Sequence, residues 1–256
     1  MKKNISIVAT ILLPLHLLFF ALLPTTNFTW TSIFYVLLGY VFIGGLGVEV
    51  GLHRWASHKT IDLNSIAKPL VIFASVISCQ GHPYWWAAIH RGNHHRFCDT
   101  EKDIHSPKNG KWNSFLGWLL NHDTVNNINF KYITDLMRDP LLKFSAKYYK
   151  SIIYTTWIVA GFISLNFLFW AVIIPTLISF YSVNVINLIC HSDSGYRNFN
   201  TTDNSRNVSF LGYFCWGNGW HNNHHYRASS YDFGKSVSGK WWEVDPCVIF
   251  LPFIKK

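Results

Sequence analysis

The sequence predicts an all-α integral membrane protein: four transmembrane helices in two hairpins, with a cytoplasmic helical cap that gathers a histidine-rich site. Three observations lead there. Hydrophobic residues make up 50% of the chain and charged residues 14%, against the usual quarter in a soluble domain. Lys and Arg are absent from Asn4 to His53 and again from Ser151 to Tyr196, and these two gaps hold the long apolar runs. Nine of the thirteen histidines fall in HRWASH (His53, His58), in HRGNHH (His90, His94, His95), in HNNHH (His221, His224, His225) and at His191.

In chain order, residues 5–24 and 31–50 form the first expected hairpin, and 151–167 and 168–190 the second. Each run is near the ~20 residues that a helix needs to span the hydrocarbon core. The first run is longer than the apolar stretch of a secretory signal, contains Pro14 and His16, and lacks a small-x-small cleavage site, so it is read as retained. The connecting segments, 25–30 and around Asn166, carry no basic residue, while every Lys and Arg lies on the other side. By the positive-inside rule that other side is cytoplasmic. The net charge of +9 is then a topology signal. A nucleic-acid partner is not expected, because the charges form no single stripe.

Residues 67–80, with the nine-residue apolar run 70–78 after Pro69, are read as an interfacial helix at the inner membrane surface. If that run crossed the membrane, the first two histidine boxes would face opposite sides. No repeat, low-complexity tract or linker divides residues 1–256, which are taken as one domain. The five cysteines are odd in number and form no C-x-x-C pair. They lie mostly on the expected cytoplasmic side, where thiols stay reduced, and Cys98 and Cys190, which adjoin the histidine motifs, are read as small hydrophobes.

So many imidazoles point to a metal centre built mainly from nitrogen ligands. His221, His224 and His225 share a face if their segment is helical. His53 and His58, at i and i+5, stand about 140° apart on an ideal α-helix. They would bind two different ions, or the helix would end between them; both fit a binuclear site. HRGNHH has the wider i, i+4, i+5 spacing, and a single-turn π-bulge at Gly92–Asn93 would bring its imidazoles toward one face. Asn187, one turn before His191, could bind metal, hold a metal-bound water or cap its helix. Asp99, Glu101, Asp103 and Asp193 are candidates to brace ligating histidines from behind. His16, His82, His105 and His122 are read as non-ligands.

The motifs GLHRWASHKT, HRGNHHRFCDTEKDIHSP and GNGWHNNHH, with Gln80, Trp86, Ser114–Gly117–Trp118 and Asn187/His191–Gly195–Tyr196–Arg197, resemble the membrane fatty acyl desaturases of the acyl-CoA (delta-9) type. The resemblance covers most of the chain. It implies that the nine clustered histidines hold two iron ions, with Asn187 acting through a water. It further implies O2-dependent insertion of a cis double bond into a fatty acyl chain carried on coenzyme A or a related thioester or lipid. Gln80, Trp86 and Trp118 are the expected substrate-facing residues. The chain departs from the family pattern in two places: its second box has one extra residue, as in membrane alkane hydroxylases, and Asn218 stands where the family often has Glu.

No flavin or nucleotide signature is present, so electrons would come from an external ferredoxin, flavodoxin or cytochrome-type protein and its reductase. A bacterial inner membrane, with the active site and both termini cytoplasmic, is the expected location. Two rival readings remain at this level. A membrane di-iron lipid or alkane hydroxylase would share the core and differ in product. A non-enzymatic, histidine-rich metal carrier would line a path across the membrane.

Overall fold

The structure is a computed structural model that describes residues 7–121 and 128–256. The expected all-α architecture holds: the described residues form helices, turns and three isolated backbone bridges, with no strand. Among the described residues three helices are long and apolar enough to cross a membrane: α1 (Val8–Thr25), α2 (Trp30–Ser57) and α6 (Leu165–Ile189). A capping box between Thr29 and Ser32 starts α2; it satisfies backbone N–H groups that would otherwise face an apolar medium. The helix continues seven residues past the expected end at 50, so His53 of the first histidine box lies on the helix itself and His58 is its C-cap.

Helix α3 (Ala67–Ile77) has 11 residues, too few to cross a bilayer. It packs along α2 at very short range. A Cβ on Gly47 would stand 2.5 Å from the Ala74 carbonyl oxygen, and Ser75 Oγ donates to the Gly47 carbonyl at 2.9 Å. Helix α4, residues 83–97, starts at Pro83 and carries the second histidine box. Helix α5 (Tyr149–Ile163) covers most of the third expected span but has 15 residues, about 22 Å at 1.5 Å per residue. The break before α6 falls at Ser164, whose extended backbone and side chain cap the next helix, three residues earlier than the expected boundary at 167/168.

The helix-connecting turns meet at one end of the bundle. Asn27 N–H donates to Asn166 Oδ1 at 3.0 Å, and Trp170 Nε1 donates to the Asn27 carbonyl at 3.1 Å. The bundle core packs Ile11, Leu15, Val76, Ile153, Phe169 and Ile173. Phe20, Phe34 and Phe162 are exposed on the outer faces of α1, α2 and α5, where a hydrocarbon solvent would cover them. At the opposite end, the far halves of α2 and α6, the whole of α4, and the short helix α7 (His221–Tyr226) converge.

Candidate metal centre

The nine clustered histidines all meet at that convergence. His53, His58, His90 and His224 form one group and His94, His191, His221 and His225 a second, the ligand atoms of each lying within 4.8 Å of one another. His95 reaches both: its Nε2 lies 3.1 Å from Nε2 of His90 and of His224 in the first group, and with His224 and with His225 of the second it forms a further set whose ligand atoms lie within 4.8 Å of one another.

Backbone geometry explains how these spacings work. Residues 41–57 of α2 are π-helical, and the His58 N–H bonds the His53 carbonyl at 3.0 Å. An i→i+5 bond brings residues five apart onto one face, so the two imidazoles of the first box sit with centroids 4.9 Å apart, in the same group. The α-helical angle of 140° does not apply; of the two expected alternatives, the helix does end between the two histidines, at Ser57 with His58 as its C-cap, while binding of two different ions is not needed to bring them together. The second box has the expected π turn, at His90–His94, but the turn does not gather all three rings. It pairs His90 with His95 and sends His94 to the other group. Box three is helical; its shared face also divides, with His224 going to the first group and His221 and His225 to the second.

Behind the cage, acceptors hold the outer ring nitrogens. His53 Nδ1 lies 3.0 Å from Glu49 Oε2, His94 Nδ1 3.0 Å from Asp103, His191 Nδ1 3.2 Å from Asp99 and His225 Nδ1 3.0 Å from Asp203. His221 Nδ1 faces the carbonyl and Oδ1 of Asn218 at 3.1 and 3.2 Å. Of the four acids singled out from the sequence, Asp99 and Asp103 brace histidines. Glu101 is exposed, and Asp193 faces solvent beside Arg206. Glu49 and Asp203 were missed. Glu49 had a signal, as the only acid between Asn4 and His53 and one helical turn before His53.

These contacts assign the proton of each braced ring to Nδ1 and leave an Nε2 lone pair pointing inward. The inward atoms are close: His58–His90 2.7 Å, His53–His224 3.2 Å, His191–His221 2.8 Å and His225–His221 3.2 Å. Burial, reinforced by neighbouring imidazoles, pushes His58, His90, His95, His221 and His224 well below the ordinary histidine range, and His225 down to about 4. Burial acts against His94 too, but the Asp103 carboxylate outweighs it and raises that group. Neutral lone pairs about 3 Å apart repel. Two nitrogens each about 2.1 Å from one cation, at right angles, have that same separation. The donor set therefore fits metal.

A cavity of about 40 Å³ opens beside both groups, lined by His90, His94, His221, Asn187, Trp86 and Trp118 among others. Its size admits about three waters. Trp86 stacks on His90 with centroids 4.8 Å apart. Trp118 is anchored by its Nε1 to Asn184 Oδ1 at 3.3 Å and stacks on Trp85, a second lining residue that sequence reasoning passed over. Asn187 sits inside α6, and Cys190, not Asn187, caps that helix. Gln80 is buried but is not among the cavity-lining residues, and its Nε2 has no partner.

Among the four histidines set aside, His16 bonds the Leu12 carbonyl and Tyr181 hydroxyl, and His82 caps α4 and reaches Ser145. His105 lies against the site, 3.4 Å from Asp103 and in the cavity wall. His122 lies outside the described residues. All five cysteines are free. Cys98 touches His191 Nδ1 at 3.6 Å, and burial, with Asp99 beside it, pushes its thiol far up.

Apolar helices of membrane length that end in two facing groups of imidazoles define a helical membrane protein built to bind metal. The chain belongs to the fatty acid desaturase family, whose model matches residues 8–231. It is 31% identical over 251 residues to an sn-1 stearoyl-lipid 9-desaturase of Anabaena variabilis, covering 95% of this chain and 88% of that one. It is 34% identical over 236 residues to Delta-9 acyl-lipid desaturase 1 of Arabidopsis thaliana, covering 89% and 73%. An icosanoyl-CoA 5-desaturase of Limnanthes douglasii is 33% identical over 251 residues, covering 93% of this chain and 66% of that one. The protein is an oxidoreductase that introduces double bonds into fatty acyl chains.

Proposed function

We propose that the chain is a di-iron, O2-dependent desaturase that introduces a cis double bond into an acyl group carried on coenzyme A or a related thioester or lipid. The observation that carries this is the pair of four-histidine groups with inward Nε2 atoms about 3 Å apart. The net reaction takes one hydrogen atom from each carbon of –CH2–CH2– to leave –CH=CH–, and these two hydrogens, with O2, two electrons and two protons, become two waters. Two bound irons would supply the oxidising power from O2 that unactivated C–H bonds require.

In this reading His53, His58, His90 and His224 hold one ion and His94, His191, His221 and His225 the other, with His95 between them and Asn187 holding a water. The carboxylates behind the rings fix tautomer and ring orientation. Trp86 and Trp118 form an apolar wall that seats methylenes against the ligands and limits water; Gln80 would act on the substrate from further back. Electrons come from an external ferredoxin, flavodoxin or cytochrome-type protein and its reductase. We further propose four spans, with α5 as the third, in a bacterial inner membrane. The histidine end and both termini would then be cytoplasmic, because the basic residues lie on that side.

The test is expression in a suitable host, followed by mass spectrometry of its fatty acids and iron analysis of the purified protein. New unsaturated chains and about two irons per chain are expected, by the donor count. Hydroxylated chains in place of unsaturated ones, or protein that takes up no iron, would overturn the reading.

A further inference from the structure

We propose that Glu49 is a positioning residue shared by both metal groups: one carboxylate whose two oxygens set the ring orientation of a ligand in each. The proposal rests on the metal reading above. Glu49 is buried on α2. Its Oε2 accepts from His53 Nδ1 at 3.0 Å, and His53 belongs to the first group. Its Oε1 accepts from Asn218 Nδ2 at 2.9 Å. Asn218 Oδ1 in turn lies 3.2 Å from His221 Nδ1, and His221 belongs to the second group. Each of the other bracing carboxylates serves one group alone: Asp99, Asp103 and Asp203 each meet one histidine of the second. Among the bracing carboxylates of the described residues, only Glu49 reaches both groups, directly at His53 and through Asn218 at His221.

The carboxylate is itself held fixed. Arg54 Nη1 donates to Glu49 Oε2 at 3.0 Å, while Nη2 donates to Asp245 at 2.8 Å and to the Trp216 carbonyl at 3.1 Å. The guanidinium lies 4.1 Å over the Phe233 ring, which packs against both His53 and His224. A buried group with every hydrogen bond fixed can hold its neighbours to one tautomer and one angle.

The direction of each hydrogen bond yields a sharp test. In Glu49→Gln the amide oxygen can still accept from His53 and Arg54, but its NH2 then faces the Asn218 NH2. Asn218 must flip, and its NH2 then meets the His221 Nδ1–H, itself a donor, which is left with the Asn218 backbone carbonyl at 3.1 Å as its acceptor. The defect so passes from the first group to the second. Asn218→Asp in the same chain removes the conflict. The carboxylate that it places at position 218 accepts from the new amide at position 49 with one oxygen and from His221 with the other. The negative charge has then moved to the far end of the same chain of bonds.

Ferrous iron affinity of the full-length protein would be measured by chelator competition, alongside Mössbauer spectra of the iron-loaded protein. Glu49→Gln should weaken iron binding about ten- to a hundredfold and alter the spectra of both iron environments. Asp203→Asn should alter one. The double variant Glu49→Gln/Asn218→Asp should bind iron within about threefold of the parent. A double variant no better than Glu49→Gln alone, or Glu49→Gln with both spectra unchanged, overturns the proposal. Failure of the parent itself to bind iron would instead overturn the di-iron reading. Thermal melting of the metal-free proteins separates a lost fold from a lost orientation, since a purely structural role would lower melting without being rescued by the swap.

Discussion

At the scale of single residues, the site is defined by which nitrogen of each ring faces which neighbour. His224 illustrates it: its Nε2 faces those of both His53 and His95. Replacing it with Ala should abolish desaturation and remove iron while the protein still inserts into membranes; full activity in that variant would refute the assignment. His16→Ala should keep activity within about twofold, because that ring serves only Leu12 and Tyr181 on α1 and α6. A paired measurement separates the acids. Asp203→Asn should weaken iron binding about ten- to a hundredfold, whereas Asp193→Asn, at a solvent-facing position, should leave it unchanged. The clustered histidines were legible in the sequence because their density is far from random. The braces were only half legible. Asp103 follows closely the box whose His94 it braces, but Asp99 reaches His191 from 92 residues away and Asp203 reaches His225 from 22, and no local pattern encodes those meetings.

At the scale of elements, the i→i+5 turn decides the chemistry. Spacing alone could not reveal that residues 41–57 are π-helical, since a hydrophobic run says nothing about which carbonyl an N–H selects. In the second box, Asn93 sits in the turn and clamps the following loop: Nδ2 donates to the Lys102 carbonyl at 2.7 Å and Oδ1 accepts from Ile104 N–H at 2.9 Å. Asn93→Ala should keep the turn and its iron but lose about 1–3 kcal/mol of stability. Deleting Asn93 lets the π turn close as an α-helical one, with His90 and the second of the paired histidines four apart and still on one face, and should preserve substantial iron binding. Loss of both irons in the deletion would mean that the site depends on the wider turn itself.

Another tie at this scale responds to acid. Arg91 joins α4 to the Ser57 carbonyl at 2.8 Å and to Asp135 at 2.8 Å, and Lys59 reaches the same carboxylate at 3.0 Å. Partial burial opposes ionisation of Asp135, but Arg91 and Lys59 outweigh it and lower its value from 3.8 to about 2. A depressed carboxyl stabilises the fold above its unfolded value and loses that contribution as pH falls through the folded one. Asp135→Asn should therefore melt below the parent at neutral pH, by a modest margin since the pair is partly solvated. The gap should close between about pH 4 and pH 2. A gap constant across that range would show that the ion pair contributes nothing.

At the scale of the whole molecule, the helix-connecting turns lie at one end and the histidines at the other. In a Cys-free background, Lys108→Cys should be labelled only from the cytoplasmic side and Phe28→Cys only from the opposite side. Labelling of both from one side would break the proposed topology. The all-α class and three of the membrane-length helices could be read from the gaps in basic charge. The third expected span was harder to read, because Ser164 ends α5 by capping its successor, a choice made by one hydroxyl within an apolar run.

The distance in sequence between the partners of each histidine group has a consequence for biosynthesis. His53 and His224 stand 171 positions apart, and both groups draw on the HNNHH segment near the end of translation. A ribosome-bound chain that carries the first two boxes holds three histidines of one group but only His94 of the other. On the di-iron reading proposed above, neither four-histidine set would be complete until the HNNHH segment has emerged, so full metal loading would follow its translation.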